Sequence, residues 1–75
     1  MITTPIAIGQ KYRTRNGHTA CILDYDGEGL RPVTALIIDD GPLYDRYYTL
    51  QGMEHQPLAG EQQQESPYDL TELLP

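Results

Sequence analysis

The residues best suited to chemistry in this chain are basic side chains grouped around one predicted turn. Lys11, Arg13 and Arg15 occupy alternate positions, and His18 follows them. Because successive side chains of a β-strand point to opposite faces, this spacing places the three cations on one face. Guanidinium groups bind phosphate oxygens in a bidentate manner, so the face could hold a nucleotide or another phosphate-bearing ligand. It could equally dock on an acidic protein surface, or be a solvated edge that discourages strand pairing.

A second candidate surface is a tyrosine-rich segment. Tyr44, Arg46 and Tyr48 alternate, and Tyr47 lies on the opposite face. We expect one set to pack in the core, whereas exposed tyrosines beside an arginine would form a protein-binding hot spot or a base-stacking platform. The predicted partner- or ligand-binding residues are therefore Lys11, Arg13, Arg15, His18, Tyr44, Arg46 and Tyr48.

Catalytic and metal-binding patterns are weak. The only serine, Ser66, precedes Pro67 outside any Gly-x-Ser-x-Gly motif, and Cys21 is a lone cysteine in an apolar run. Residues 24–28 carry alternating carboxylates in the manner of a calcium loop, but no glutamate follows at the distance that such a loop needs. We predict a non-enzymatic protein with no catalytic residue, metal or cofactor, and an acidic hairpin turn at 24–28.

Charge and apolar content narrow the choice of partner. Eleven acids against five Lys and Arg give a net charge of −6, and no Lys or Arg follows Arg46. Direct binding to nucleic acid is not expected, because it requires cations that displace counterions from phosphates. A basic protein partner fits better, with acidic mimicry of a nucleic acid as a further alternative.

No signal peptide or membrane-length apolar segment is recognisable, and one unpaired cysteine suits a reducing compartment, so we predict a cytoplasmic location.

The elements that position these residues are predicted to be strands. Asn16-Gly17 is the preferred pair for a two-residue type I′ turn, which would pair Arg15 with His18 and Arg13 with Ala20. Gly9 is a candidate bulge. Further strands are expected over 18–25, 30–39 and 43–50, after a first strand over 6–15.

The C-terminal part is expected to contain a loop and a closing element. Residues 53–66 are polar and interrupted by Gly and Pro, which predicts a flexible loop. Residues 66–69 fit one short helical turn, and residues 70–74 fit a closing strand. Residues 1–75 thus form a single small all-β domain, either a strongly bent antiparallel meander or an SH3-like barrel of four to five strands.

Two segments also carry a family resemblance. The opening Gly9-Gln-Lys-Tyr-Arg-Thr-Arg-Asn-Gly17 and the ending Glu65-Ser-Pro-Tyr-Asp-Leu70 resemble small uncharacterised phage and prophage proteins, which share a G-x-x-Y-x-x-R-[ND]-G start and an E-S-P-x-D-L end. The resemblance implies a viral accessory protein and brings no catalytic residues. We therefore expect an inhibitor or modulator of a host protein, for example in anti-defence, acting in the host cytoplasm. A homodimer is an open alternative.

Overall fold

A computed structural model of the protein describes residues 2, 5–25, 29–39 and 41–75. It contains five strands and, within these residues, no helix. The strands are β1 (Lys11–Thr14), β2 (Thr19–Tyr25), β3 (Val33–Ile37), β4 (Tyr44–Tyr48) and β5 (Leu70–Leu74). The predicted all-β class and the closing fifth strand are confirmed. The acidic hairpin turn predicted at 24–28 lies outside the described residues at positions 26–28.

All five strands join in one antiparallel sheet with the order β4-β3-β2-β1-β5. The first four strands form a meander, and β5 returns to pair with the free edge of β1. At one end the two outer strands are also linked, because the N–H of Leu70 donates to the C=O of Gly52 just after β4 (2.8 Å). The sheet is thereby bent toward closure.

The turn between β1 and β2 differs from the prediction. A type I′ turn needs a positive φ at both Asn16 and Gly17, but no described residue other than glycine has one. The loop has three residues instead, with Gly17 at φ +90°. The N–H of Gly17 donates to the C=O of Thr14 (3.0 Å), and the N–H of Thr14 donates to the C=O of His18 (2.8 Å). This is a turn followed by a glycine bulge, a common three-residue hairpin.

The longer loop changes the strand register by one residue. The observed pairs are Lys11 with Cys21, Tyr12 with Ala20 and Arg13 with Thr19, so the predicted pairing of Arg13 with Ala20 is wrong. A physical reason lies at position 14. The Thr14 hydroxyl oxygen accepts the N–H of His18 (2.9 Å), which stabilises the three-residue loop. The bulge predicted at Gly9 is confirmed, since its N–H and the C=O of Gln10 both bond to Ile22.

The segment 66–69, which leads into β5, forms a tight turn. The N–H of Asp69 donates to the C=O of Ser66 (3.1 Å). The segment contains no helical residue, so the short helical turn predicted at 66–69 is wrong. Nothing in the described residues forms a helix of the length and apolarity needed to cross a membrane.

The core lies on the inner face of the sheet. Alternation along β3 buries Val33, Ala35 and Ile37 and leaves the residues between them partly exposed. The molecule exposes 4663 Å² of surface, close to the roughly 4,700 Å² typical of a folded monomer of this mass. The core contains no Phe or Trp. Its largest fully buried side chains are Tyr12, Tyr48, Ile22, Ile37, Leu70, Val33, Thr14 and Asp69.

Candidate binding site

The predicted binding residues do not form one continuous face. Two remain on the outer side of β1, one turns toward the C-terminal segment, three surround a tyrosine that was not predicted, and one is in the core. In that order they are Lys11 and Arg13, Arg15, then His18, Tyr44 and Arg46, and finally Tyr48.

Lys11 and Arg13 keep the position predicted for them. The burial pattern of β1 alternates: Tyr12 and Thr14 are buried, Lys11 is exposed and Arg13 is partly exposed. Arg13 donates from Nη1 to the C=O of Gly17 (3.1 Å), which holds its side chain along the turn. The predicted alternation is therefore confirmed for these two residues.

Arg15 does not share that face, because the three-residue loop removes it from the strand. Its Nη2 lies 3.4 Å from Oδ2 of Asp69, and its Nη1 lies 3.9 Å from Oε2 of Glu65. Its Nε donates to the C=O of Ser66 (3.3 Å). Asp69 is fully buried. Arg15 therefore offsets the charge of a buried carboxylate of the protein itself, and a phosphate ligand would have to compete with that carboxylate.

Asp69 organises the chain around it. One carboxylate oxygen accepts the N–H of Glu54 (2.8 Å), and the other accepts the N–H of Ser66 (2.8 Å). The hydroxyl of Ser66 also donates to the carboxylate of Glu54. We call Glu54, Ser66 and Asp69 the neck. It brings together two points of the chain that lie 12 residues apart.

An aromatic cluster forms around Tyr68. The guanidinium carbon of Arg46 lies 3.7 Å from the centroid of the Tyr68 ring, and the His18 ring stacks on Tyr68 at 6.3 Å and 15°. Tyr44 meets Tyr68 edge-on at 6.0 Å and 81°. These contacts are the geometry of aromatic packing and of cation–π attraction. The structure thus brings His18, Tyr44 and Arg46 together, but around a side chain of the protein itself.

Arg46 also has an acidic partner. Its Nη1 lies 2.6 Å from Oε2 of Glu54 in the neck. Burial opposes the charge of the guanidinium, but the bonded carboxylate outweighs this effect and raises the pKa of Arg46 above its ordinary value. The arginine predicted to face a partner is held against the protein by two rings and a carboxylate, and its side chain keeps 32% of its accessible surface.

His18 and Tyr48 are likewise engaged. Nδ1 of His18 lies 3.6 Å from Oδ1 of Asp39. The N–H of Thr19 donates to that same oxygen (2.7 Å) and is the main cause that holds the pKa of Asp39 below its usual range. Tyr48 is fully buried and donates its hydroxyl to the C=O of Tyr68 (2.7 Å). Tyr48 is thus a core residue, in agreement with the expectation that one set of these tyrosines packs in the core. Tyr47, on the other face of β4, is exposed.

Residues 55–65 form a loop that starts and ends at the neck, and we call them the clamped loop. Within it, the N–H of Leu58 donates to the Glu61 carboxylate (2.7 Å), and Nε2 of Gln63 donates to the C=O of His55 (2.6 Å). The side chains from 58 to 65 are all exposed, and Leu58 retains 67% of its accessible surface. The mobility expected for 53–66 stays a prediction.

A shallow open groove separates the end of this loop from the β1–β2 turn. Its lining joins the predicted Arg15 to residues that sequence analysis did not select: Asn16, Glu65, Ser66 and Pro67. The organising residues that no sequence pattern indicated are Glu54, Tyr68 and Asp69. The only local signal was the Ser66-Pro-Tyr-Asp69 pattern, which fits a helix cap as well as the observed turn.

The described residues contain no group of three or more His, Cys, Asp or Glu side chains placed to hold a metal ion. Cys21 is a free, partly buried thiol on the outer side of β2.

No protein-family model, curated protein or solved structure matches the chain. The contacts described above therefore carry the functional inference.

Proposed function

We propose that this chain is a non-enzymatic phage accessory protein that binds a host protein in the host cytoplasm and inhibits or modulates it. One observation supports a protein partner over a phosphate ligand. Arg15, His18 and Arg46 each face a carboxylate of the protein itself. A small anion would have to displace these carboxylates, whereas a protein can bind the surface that they leave exposed.

The outer side of β1 fits this role. Lys11 is exposed, and its register partners on the two neighbouring strands are the partly buried Cys21 and Leu74. Apolar contacts with charged residues beside them are typical of protein interfaces. At this face Lys11 and Arg13 would meet acidic side chains of the partner, whereas the net charge of −6 and the resemblance to phage proteins support a host partner that is basic outside this contact.

The test is affinity capture from host lysate with the immobilised protein. We expect one partner in stoichiometric amount, lost or weakened at least tenfold in the Lys11→Glu/Arg13→Glu variant. Arg15 is left unchanged because it contacts the buried Asp69. Arg31→Glu, at an exposed position before β3, reverses one charge where the test variant reverses two, and as the control it should bind normally. Turnover of a substrate by the purified protein, with no partner captured, would contradict the proposal.

A phosphate-bearing ligand is the second candidate, and one observation favours it. The buried Nε of Arg46 has no hydrogen-bond partner among the described residues, although the group can donate. A nucleotide that bonded to it would raise the melting temperature by mass action. A thermal-shift panel of nucleotides distinguishes the candidates, since a protein-binding role predicts no shift with any nucleotide.

A further inference from the structure

We infer that the clamped loop recognises the host partner, and that the partner presents an apolar pocket rimmed by basic side chains. The inference rests on the proposed function and names the surface and the partner chemistry that it would use.

The neck orders a segment that the core does not require. A buried carboxylate is unfavourable unless it is hydrogen-bonded, and the side-chain bonds of Asp69 go to the two ends of the clamped loop and to Arg15. The bonds between Glu54 and Arg46 and between Glu54 and Ser66 hold the same two ends. Yet every side chain from 58 to 65 is exposed and adds little to the core. A loop fixed at both ends loses less conformational entropy on binding than a free one.

The exposed residues of the loop indicate what it would bind. Leu58 projects from a turn closed by two hydrogen bonds with Glu61, and most of its side chain meets solvent. A single apolar side chain on an ordered turn can enter a pocket as an anchor. Glu61 and Glu65 are the charged residues of the loop, and the chain has no Lys or Arg after Arg46. A basic rim around the pocket would complement this charge and speed association.

The loop should be removable, because its ends are in contact. In the main test, residues 56–64 are replaced by three glycines. Shortening a loop between ends that already touch changes the closure entropy little, because this entropy varies only with the logarithm of the loop length. The shortened protein should keep a cooperative thermal transition and lose at least tenfold in affinity for the host protein that the wild type captures, measured by calorimetry with that purified protein.

Point variants test the anchor and the charge separately. Leu58→Asp should weaken binding at least tenfold, whereas Leu43→Asp, at a position of similar exposure (63% against 67%), should not. Gln64→Lys places a cation in the loop and should weaken binding to a basic rim. These point variants test the role of the clamped loop even if the shortened protein fails to fold.

The outcomes separate the inference from the proposed function. If the wild type and the Leu58→Asp variant bind the same partner with equal affinity, the inference is overturned and the proposed function stands. Stronger binding by Gln64→Lys would overturn the basic rim. Failure of the wild type to retain any partner would overturn the proposed function itself.

Discussion

At the scale of single residues, Asp69 combines complete burial with bonds to three separate parts of the chain. Replacing it with Ala would leave the N–H groups of Glu54 and Ser66 without acceptors and Arg15 without its buried partner. Each unsatisfied buried group costs about 1–3 kcal/mol, so we expect Asp69→Ala to lower the free energy of unfolding by about 3 kcal/mol. Urea denaturation followed by circular dichroism measures this loss. Asp45→Ala, at an exposed position of β4, should change it by less than about 0.5 kcal/mol.

Tyr48 makes stability sensitive to alkaline pH. Burial raises its pKa well above the ordinary value of 10.0, so the folded protein keeps the phenolic proton that the unfolded chain releases near pH 10. The contribution of protonated Tyr48 to the free energy of unfolding is complete below pH 10. It falls as the pH rises above 10, by up to about 1.4 kcal/mol per pH unit. Burial also raises the pKa of Tyr12 and adds to this effect.

Tyr48→Phe should therefore lower the stability at neutral pH and weaken its dependence on pH above pH 10. At pH 7 it should lower the free energy of unfolding by about 1 kcal/mol, because the bond to the C=O of Tyr68 is lost. Between pH 10 and 11 the variant should lose stability more slowly than the wild type. Denaturation curves at a series of pH values test this expectation, and equal slopes above pH 10 would contradict it.

At the scale of elements, two glycines of similar backbone conformation differ in their surroundings. Gly17 (φ +90°) and Gly52 (φ +80°) each occupy the last position of a three-residue loop. A Cβ on Gly17 would meet open space, whereas a Cβ on Gly52 would lie 2.9 Å from both Ile2 Cγ1 and Leu70 Cβ. Gly17→Ala should cost about 1 kcal/mol from backbone strain alone. Gly52→Ala should cost about 3 kcal/mol, since overpacking adds to the strain. Equal losses in urea denaturation would show that the close approach is not tight.

The elements also show what the sequence could and could not predict. Alternation and turn residues located the first four strands, and the need to cover a free sheet edge predicted the fifth, which closes the sheet. The register of the first hairpin was wrong by one residue, because Asn16-Gly17 fits a two-residue turn and also the end of a three-residue loop. The hydroxyl of Thr14 stabilises the longer loop, but a threonine before a turn does not by itself indicate the length of that loop.

The candidate site was harder to predict than the fold. Arg15 and Asp69 are 54 residues apart, and Tyr48 and Tyr68 are 20 apart. Local patterns gave the faces of the strands, but they could not show which C-terminal side chains would meet them. A cation in a sequence therefore predicted a binding residue where the folded chain forms an internal ion pair.

At the scale of the whole molecule, the excess of negative charge should oppose compaction. With a net charge of −6, repulsion among carboxylates is strongest at low ionic strength. Raising the salt from about 10 mM to 150 mM shortens the screening length from about 30 Å to 8 Å. We expect the melting temperature to rise over this range. A fall would mean that the ion pairs of Arg15 and Arg46 outweigh the general repulsion, and the Asp45→Asn variant, with one charge fewer, should show a smaller rise.

The pairing of β5 with β1 sets the order of events in folding. The hydroxyl of Thr71 bonds to the C=O of Arg13 across 58 residues of chain, whereas the other strand pairs join neighbours along the chain. Closing so long a segment carries the largest entropic cost in the sheet, so we expect this pair to form last. The meander can therefore assemble first and β5 can dock late, after the rate-limiting barrier. Substitutions in β5 should then accelerate unfolding while leaving the refolding rate almost unchanged.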